Sequence, residues 1–318
     1  MIEVRYPGKL YIMGEYNVME PKHSAIVMAV NRYLTVYTKP SNQLKIQSAY
    51  GIINESTKGQ MKHVEGALAV SRAYLEKENL DFMPFDMIIE SELDAKNKKK
   101  YGFGSSGVVI VAVLDSILKF HGLTLDKLKL FKLAVYTQTV IGDISSGGEL
   151  ACSIYGGLIY YRRYLELPTS LDDIDRDWND LEIKPLNRNF HIEVGYTHQA
   201  FNSKSFLEKV SLKKKQDPEM YQLLLHKAEQ IVLLFLNDQD ITLITQYRNW
   251  MLKFGLWADI EIETDVLESL IDSANNQGYP AKASGAGGGD CGIALSETKI
   301  DLTEVWEPLN IERIDDII

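Results

Sequence analysis

The sequence has little cysteine and no excess of positive charge. Its two cysteines, Cys152 and Cys291, lie far apart and form no C-x-x-C pair. This usage is typical of reduced thiols in a cytosolic protein and indicates no disulfide framework. Lys and Arg number 34 against 44 Asp and Glu, a net charge of −10. Nonspecific binding to nucleic acid or to an anionic membrane is therefore not expected. An anionic ligand would need locally gathered basic groups.

Long apolar runs are also missing. No stretch reaches the length of a membrane-spanning helix, and the N-terminal MIEVRYPGKLYIMGEY lacks the charged-then-apolar layout of a signal peptide. The content of 45% hydrophobic and 25% charged residues is ordinary for a globular protein, and no internal repeat occurs. We expect a soluble, cytoplasmic protein of 318 residues with one large domain or two moderate ones.

The common nucleotide-binding motifs are absent or incomplete as well. The stretch KKKYGFGSSGVVIVAVLDSIL, residues 98–118, has its lysines before the glycines, so it is not a Walker loop. Gly102, Gly104 and Gly107 do have the G-x-G-x-x-G spacing, but the rest of the dinucleotide fingerprint is missing, because no acidic residue ends a neighbouring strand about twenty residues on. A dehydrogenase is disfavoured.

What the stretch does contain is a short loop before an apolar helix predicted over residues 105–120. Its glycines and serines are Gly102, Gly104, Ser105, Ser106 and Gly107. Glycines let a backbone approach a ligand closely, and the N-terminus of the helix presents unpaired N–H groups and a positive dipole end. Such a loop can bind phosphate without a lysine of its own. The alternative is a tight turn before a core helix.

Elsewhere, strands and helices alternate without a regular β-α-β order, which favours an α+β fold. Strands are predicted at residues 2–6, 25–39, 85–93, 190–197, 291–295 and 310–317, the first ending in a turn at Pro7-Gly8. Further helices are predicted at residues 64–80, 124–141, 203–214, 217–237, 239–254, 264–277 and 301–307. The acidic stretch 165–187 has little periodicity and predicts a boundary between domains 1–187 and 188–318.

Two other stretches are unusual. PGKLYIMGEYNVMEP, residues 7–21, places Lys9 after a turn, a position where lysine is usually a solvated surface charge. SGAGGGDCGIAL, residues 284–295, has five glycines that run straight into an apolar segment. A flexible linker is the usual interpretation of such glycine density, but the strand that follows at once fits it poorly.

Together the three stretches resemble the GHMP kinase superfamily. Its members carry P-G-K-x-x-x-x-G-E, then G-x-G-S-S-[AG], then G-A-G-G-G, and this chain has PGKLYIMGEY, YGFGSSG and SGAGGGDCGIAL in the same order. The last stretch is most similar to that of the bacterial phosphomevalonate kinases. The resemblance covers essentially the whole chain. It implies an N-terminal half like ribosomal protein S5 domain 2, a ferredoxin-like C-terminal half, and an active site in the cleft between them.

The resemblance also implies a reaction, in which ATP phosphorylates 5-phosphomevalonate to 5-diphosphomevalonate in the mevalonate route to isoprenoids. Lys9 would be catalytic and would also contact the substrate. The ATP phosphates would be bound by Lys100, Gly102, Gly104, Ser105, Ser106 and Gly107. Mg²⁺ would be bound by Ser106 and Glu149. The substrate would also contact Tyr16, Ser146, Gly147, Ser203, Lys204, Ser284, Gly285 and Ala286.

One position departs from the family pattern. Where relatives carry S-x-G-D-[LI]-A, this chain has Glu149 in place of the aspartate, which moves the carboxylate by one methylene. The resemblance implies that Glu149 is catalytic, either by binding Mg²⁺ or by pairing with Lys9. Alternatively, Glu149 only complements the dipole of a short helix, and Asp143 supplies the carboxylate.

Two alternatives to this function stay open. The chain could be another GHMP kinase, such as a mevalonate kinase, or a catalytically silent member that senses a ligand. Lys9, Ser105 and Ser106 are the residues that a sensor would be expected to lose, and all three are present. We expect ATP, Mg²⁺ and a small-molecule substrate as ligands, no nucleic acid or membrane as partner, and a monomer or homodimer.

Overall fold

The computed structural model describes residues 1–54, 59, 61–94, 101–143, 145–199, 201 and 203–317. Within these residues the chain forms two sheets flanked by helices, which confirms the predicted α+β class. The N-terminal sheet has seven strands: β1 (Ile2–Met13), β2 (Ser24–Pro40), β3 (Lys45–Ser48), β4 (Gly51–Asn54), β5 (Phe85–Ser91), β6 (Leu158–Arg162) and β7 (Glu182–Leu186). Their order is β4-β3-β5-β2-β6-β7, with β1 also paired to β2.

Strand β2 organises this sheet because it is long enough to pair with three others. It runs antiparallel to β1, to β6 through its first residues and to β5 through its last. Four helices accompany the sheet: α1 (Lys62–Lys77), α2 (Ser105–Phe120), α3 (Lys127–Val140) and α4 (Gly148–Tyr155). Helix α2 packs against β1 and β2, and α1 and α3 pack against α2. The predicted bounds of α2 are confirmed, since its apolar run is almost wholly buried.

The C-terminal sheet has four strands, β8 (His191–Tyr196), β9 (Ala281–Ser284), β10 (Cys291–Ser296) and β11 (Glu312–Arg313), in the order β11-β8-β10-β9. Its helices are α5 (Lys204–Gln216), α6 (Pro218–Asp238), α7 (Leu243–Ala258), α8 (Asp265–Asn276) and α9 (Thr303–Trp306). Helix α8 covers β9 and β10, whereas α6 and α7 also reach β2 and β1 of the other sheet. One apolar core therefore runs through both halves.

Several predicted elements differ in the structure. No turn interrupts β1 at Pro7-Gly8; the strand continues to Met13 through a register shift between Pro7 and Lys9. A proline is tolerated there because a bulge needs no ladder N–H. The predicted strand 310–317 is only Glu312–Arg313, and β3 and β4 were not predicted because they are short.

The acidic stretch before the predicted boundary is more regular than expected. It contains a short 3₁₀ helix, Leu171–Ile174, and the strand β7, which pairs with β6 at the edge of the N-terminal sheet. Pro185 fits in β7 because an edge strand leaves one side unpaired. The second sheet begins at His191 with β8, and the boundary between residues 187 and 188 remains a prediction. Among the described helices, none is long and apolar enough to cross a membrane.

Candidate active site

The glycine-serine loop leads directly into α2. Gly104 occupies the position before the helix in the left-handed conformation (φ 77°), and within the described part of the chain no side chain caps the first turn. The first backbone N–H groups of a helix have no partner within the helix, and the helix dipole makes this end positive. Ser105 and Ser106 begin the helix and line a neighbouring cavity of about 730 Å³. This end of α2 can therefore bind an anion.

Lys9 lies against this loop and is not the solvated surface charge that its loop-like sequence suggested. Its residue exposure is 9%, its backbone N donates to the Phe103 carbonyl at 3.0 Å, and its Nζ donates to the Gly102 carbonyl at 3.0 Å. A Cβ at Gly104 would lie 2.9 Å from Lys9 Cε, so only glycine allows the lysine this close. Burial lowers the pKa of Lys9, and the carboxylates of Glu149, Asp290 and Glu15 oppose that shift.

A second helix N-terminus points to the same region. Gly147 precedes α4 with φ 86°, and the Gly148 N–H in the first turn of the helix donates to Ser146 Oγ at 3.1 Å. Glu149 lies in the first turn of α4, and a Cβ at Gly107 of α2 would be 2.6 Å from Glu149 Cγ. The N-terminal turns of α2 and α4 thus meet beside Lys9, and their dipoles both favour negative charge there.

The carboxylate of Glu149 is oriented by two neighbours. Its Oε1 accepts from Gln138 Nε2 at 2.9 Å and from Ser145 Oγ at 2.5 Å. Within the described residues Oε2 accepts no hydrogen bond, and Glu149 forms no ion pair with Lys9. The predicted direct contact with Lys9 is therefore not present, although the Glu149 charge opposes the fall in the pKa of Lys9 that burial causes.

Ser146 and Gly147 lie against Tyr161 of β6, and Ser146 also contacts Tyr11 of β1. The hydroxyls of Tyr11 and Ser146 are 3.0 Å apart, and the Lys9 ammonium lies 5.2 Å from the centre of the Tyr11 ring. The Tyr161 hydroxyl donates to the Ser146 carbonyl at 2.7 Å. Tyr11 was not among the predicted site residues, although Lys9 and Tyr11 are two residues apart on one strand, a spacing that places both on one face.

The glycine-rich segment after β9 packs against the first motif. Ser284 Oγ accepts from the Tyr11 N–H at 3.1 Å and donates to the Tyr11 carbonyl at 3.0 Å. Gly285 N donates to Glu15 Oε1 at 3.2 Å, and the Tyr16 hydroxyl donates to the Ala286 carbonyl at 2.5 Å. Segment 284–286 therefore takes its position from residues 11–16.

Tyr16 itself has an uncommon backbone conformation. With φ 60° and ψ −46°, and with Asn17 N donating to the Glu15 carbonyl at 2.6 Å, it is the centre of a tight turn that non-glycine residues rarely adopt. Its ring is buried and its hydroxyl is bound to Ala286. The structure thus places Tyr16 in support of segment 284–286.

The segment 284–295 also reaches the phosphate loop. Cys291 Sγ donates to the Tyr101 carbonyl at 3.2 Å, and a Cβ at Gly102 would lie 2.7 Å from Asp290 Oδ2. Asp290 Oδ1 in turn accepts from the Phe201 N–H at 3.1 Å. Residues of the C-terminal half therefore contact Tyr101 and Gly102, the first residues of the phosphate loop, which belongs to the N-terminal half. Both cysteines are buried and free, as expected from their spacing.

The remaining predicted residues lie elsewhere or are not described. Ser203 and Lys204 are exposed at the start of α5, unlike the buried groups around Lys9. Asp143, the alternative carboxylate, has its Oδ2 2.6 Å from His63 Nε2. Lys100 lies outside the described residues.

The chain belongs to the GHMP kinase family. Residues 63–157 match the profile of GHMP kinases N terminal domain, and residues 239–314 match that of GHMP kinases C terminal. These matches confirm the family resemblance and the fold that it implied.

Three relatives illustrate the similarity. The phosphomevalonate kinase of Streptomyces sp. (strain CL190) is 27% identical, covering 96% of this chain and 94% of its own length. The Lin0012 protein of Listeria innocua superposes with a TM-score of 0.93 at 31% identity, covering 98% and 96% of the two chains. Streptococcus pneumoniae phosphomevalonate kinase, in complex with phosphomevalonate and AMPPNP, superposes with a TM-score of 0.87 at 26% identity, covering 99% and 100%. Mevalonate kinases are also similar, that of Pyrococcus horikoshii at 24% identity over 91% of this chain and 87% of its own length.

Proposed function

We propose that the protein transfers the terminal phosphoryl group of ATP to 5-phosphomevalonate, giving 5-diphosphomevalonate, a step of the mevalonate route to isoprenoids. The observation that carries the proposal is the buried Lys9 beside the N-terminal turns of α2 and α4, with Glu149 next to them. A phosphoryl transfer between two anions needs such a concentration of positive potential. Relatives that bear the name phosphomevalonate kinase over nearly the full length support this substrate.

ATP would bind on the α2 side of the site. The loop Gly102–Gly107 would take the phosphates on its backbone N–H groups, with the hydroxyls of Ser105 and Ser106 beside them. The cavity next to these serines, of about 730 Å³, lies between β3, β5 and α1 and would hold the nucleoside. His63 and Tyr50 are among the residues that line it.

Lys9 would neutralise charge on the transferring phosphoryl group. The acceptor in this reaction is a phosphate, already ionised near pH 7, so no strong general base is needed. Glu149, longer by one methylene than the family aspartate, is compatible with this chemistry because it is not required to remove a proton.

Mg²⁺ fits the donor set of this site only together with phosphate oxygens. Among the described residues no group of three or more His, Cys, Asp or Glu could hold a metal ion. Mg²⁺ prefers oxygen ligands and usually takes one or two from the protein, the rest from phosphates and water. Ser106 Oγ and Glu149 Oε2, which accepts no hydrogen bond from the described residues, are suited to this role. When bound, Mg²⁺ would neutralise charge on the ATP phosphates.

The acceptor would lie between Lys9 and the segments 145–147 and 284–286. Ser146, Ser284, Gly285 and Ala286, which contact Tyr11, Glu15 and Tyr16, would line this space together with Gly147. Tyr16 would act indirectly, by holding Ala286.

A coupled ADP-release assay with phosphomevalonate, mevalonate and diphosphomevalonate side by side tests the proposal. We expect turnover with phosphomevalonate alone. Turnover with mevalonate alone would support the second candidate function, that of a mevalonate kinase. The similarity of the chain to the mevalonate kinase of Pyrococcus horikoshii is the reason for testing it. No turnover with any of the three would favour a ligand sensor.

Glu149→Gln is expected to lower turnover by about a hundredfold, because the neutral amide removes the charge offered to Mg²⁺. The matched control is Asp143→Asn, whose carboxylate lies against His63 and should change turnover little. Steady-state kinetics across a Mg²⁺ titration separate the two, since only Glu149→Gln should raise the Mg²⁺ concentration that is required. A silent Glu149→Gln with an inactive Asp143→Asn would assign the carboxylate role to Asp143.

Activity is expected to fall as the pH rises into the alkaline range. The fall should begin at a lower pH than it would if Lys9 had the pKa of an ordinary, solvent-exposed lysine. Lys9 acts as a cation and burial lowers its pKa, so the charge is present below that pKa and is lost as the pH rises through it. The pH profile of kcat/KM should show this alkaline limb in the wild type. In Lys9→Arg the alkaline limb should shift to higher pH, because arginine stays protonated. An identical limb in both proteins would assign it to another group.

A further inference from the structure

Strand β5 extends beyond its neighbour β3, and the difference leaves part of its edge unpaired. The two strands run parallel, and their last paired residues are Gln47 and Ile88. Strand β3 ends at Ser48, whereas β5 continues to Ser91 while its other edge stays paired with β2. Among the described residues, the segment 89–91 therefore has a partner strand on one side only.

The direction of each backbone group on this segment follows from the alternation of an antiparallel pair. The Glu92 N–H donates to the Tyr33 carbonyl of β2 at 2.8 Å, so the N–H and carbonyl of Glu90 also face β2. Those of Ile89 and Ser91 face the opposite edge. The last pairing with β3 uses the Ile89 N–H, but the Ile89 carbonyl and the Ser91 N–H have no hydrogen-bond partner in the described part of the chain.

The two residues that carry these free groups line the cavity of about 730 Å³ beside the phosphate loop. Ser105 and Ser106 of α2 line the same cavity. So does the segment from Ser48 to Tyr50, through which the chain leaves β3. The cavity thus occupies space beside β5 that a longer β3 would fill. A free acceptor and a free donor at a fixed spacing therefore adjoin a cavity that also reaches the proposed phosphate site.

The rest of the lining suits a flat ring. It is mainly apolar, with side chains from two strands and two helices that include Leu34, Met61, Val64, Ile89 and Val109. Tyr50 adds an aromatic ring, and its hydroxyl donates to Asp94 Oδ2 at 2.8 Å. Ligand pockets are typically apolar with a few polar groups at fixed positions. The free groups of β5 meet this description, because pairing with β2 holds the backbone that carries them.

We propose that this edge of β5 selects the adenine base of ATP, with the Ile89 carbonyl accepting from the amino group and the Ser91 N–H donating to ring nitrogen N1. This inference rests on the proposed function, since it takes ATP as the nucleotide. Adenine presents a donor beside an acceptor, which matches the carbonyl and N–H of the strand edge. Guanine presents the two in the opposite order. With the phosphates held at α2 the base cannot turn over, so guanine would leave these groups unpaired.

The test removes each partner of the two hydrogen bonds in turn. The probes are ADP, 1-deaza-ADP, which lacks N1, purine riboside diphosphate, which lacks the amino group, and GDP. The control probe is 7-deaza-ADP, which is altered away from this edge. Binding is measured by calorimetry, and diphosphates are used so that no turnover occurs.

On the protein side, Ser91→Pro removes the N–H donor. Proline is tolerated on a strand edge whose N–H takes no part in the sheet. The matched control is Ser91→Ala, which keeps the N–H but, like proline, loses the hydroxyl that accepts from the Leu93 N–H at 3.2 Å. The thermal midpoint of each unliganded protein is recorded.

We expect the wild type to bind 1-deaza-ADP, purine riboside diphosphate and GDP about 5- to 20-fold more weakly than ADP, the effect of one lost hydrogen bond, and 7-deaza-ADP about as tightly as ADP. Ser91→Pro should weaken ADP by a similar factor but 1-deaza-ADP no further, because the N–H and N1 belong to the same hydrogen bond. Ser91→Ala should bind every probe like the wild type.

Several outcomes would overturn the inference. Wild-type binding of 1-deaza-ADP or GDP as tight as that of ADP would show that the edge does not read the base. Equal weakening of ADP and 1-deaza-ADP in Ser91→Pro would mean that proline acts by distorting the strand, which a lower thermal midpoint would accompany. The analogue series on the wild type tests both hydrogen bonds even if the proline variant does not fold.

Failure of the proposed function would look different. A wild type that binds ADP with the expected analogue pattern but does not turn over phosphomevalonate would support the inference about the base and refute the acceptor. A wild type that binds no ADP would overturn both.

Discussion

Lys9→Met is expected to lower the turnover number by at least about a thousandfold while changing nucleotide affinity within about threefold. Methionine fills the space of the lysine stem beside Gly104 and Tyr11, so the loop should keep its position. What is lost is the cation between the two helix N-termini. In phosphoryl transfer, a single positive group that acts on the transition state contributes on this scale.

The measurement is steady-state kinetics with phosphomevalonate together with AMPPNP binding by calorimetry. Lys9→Arg serves as the matched control because it keeps the charge but not the reach, and should recover part of the lost turnover. A Lys9→Met protein that loses AMPPNP binding as strongly as turnover would show that Lys9 serves nucleotide binding and not the transferring group.

Breaking the Glu15–Lys282 ion pair is expected to destabilise the protein by about 3–5 kcal/mol, because either single variant leaves an isolated charge in the core. Lys282 Nζ and Glu15 Oε1 are 2.5 Å apart, and the two side chains are 0% and 2% exposed. Burial lowers the pKa of Lys282, and Glu15 opposes the shift. The pair joins the end of β1 to β9, one element from each sheet.

Urea unfolding of Glu15→Gln, Lys282→Met and the double variant would measure the coupling of the pair. The double variant should be more stable than the sum of the single effects predicts, since no lone charge remains. It should also raise the KM for the acceptor, because Gly285 N loses its carboxylate partner. Lys209→Met, which breaks an exposed contact with Asp259, is the control and should change little. Strict additivity would mean that the contact contributes no coupling energy.

The parts of the fold with strong local signals could be predicted from the sequence. Helix α2 was predicted with its observed bounds because a glycine-serine start and an apolar run both act within a few residues. The strand through Pro7 and Gly8 was predicted wrongly, because local turn preference is overridden by pairing with β2 and by the close approach of Phe103 to Gly8. Strand β7 depends likewise on β6, which no local pattern reveals.

The site was predicted less completely than the helix beside it. The motif residues Lys9, Gly104 and Glu149 do lie together, but their partners could be found only in three dimensions. Glu149 Oε1 accepts from Gln138 on another helix, a contact that the motif does not reveal.

The contact of Asp290 and Cys291 with Tyr101 and Gly102 has a consequence for recombination between relatives. The phosphate loop does not form its contacts locally. It packs against a segment of the C-terminal half, where Cys291 Sγ donates to the carbonyl of Tyr101, 190 residues earlier in the sequence. A chimera that exchanges whole halves between relatives would have to inherit both segments from one parent, or evolve their fit again. The sequences of the two halves are therefore expected to change together at the residues that form this contact.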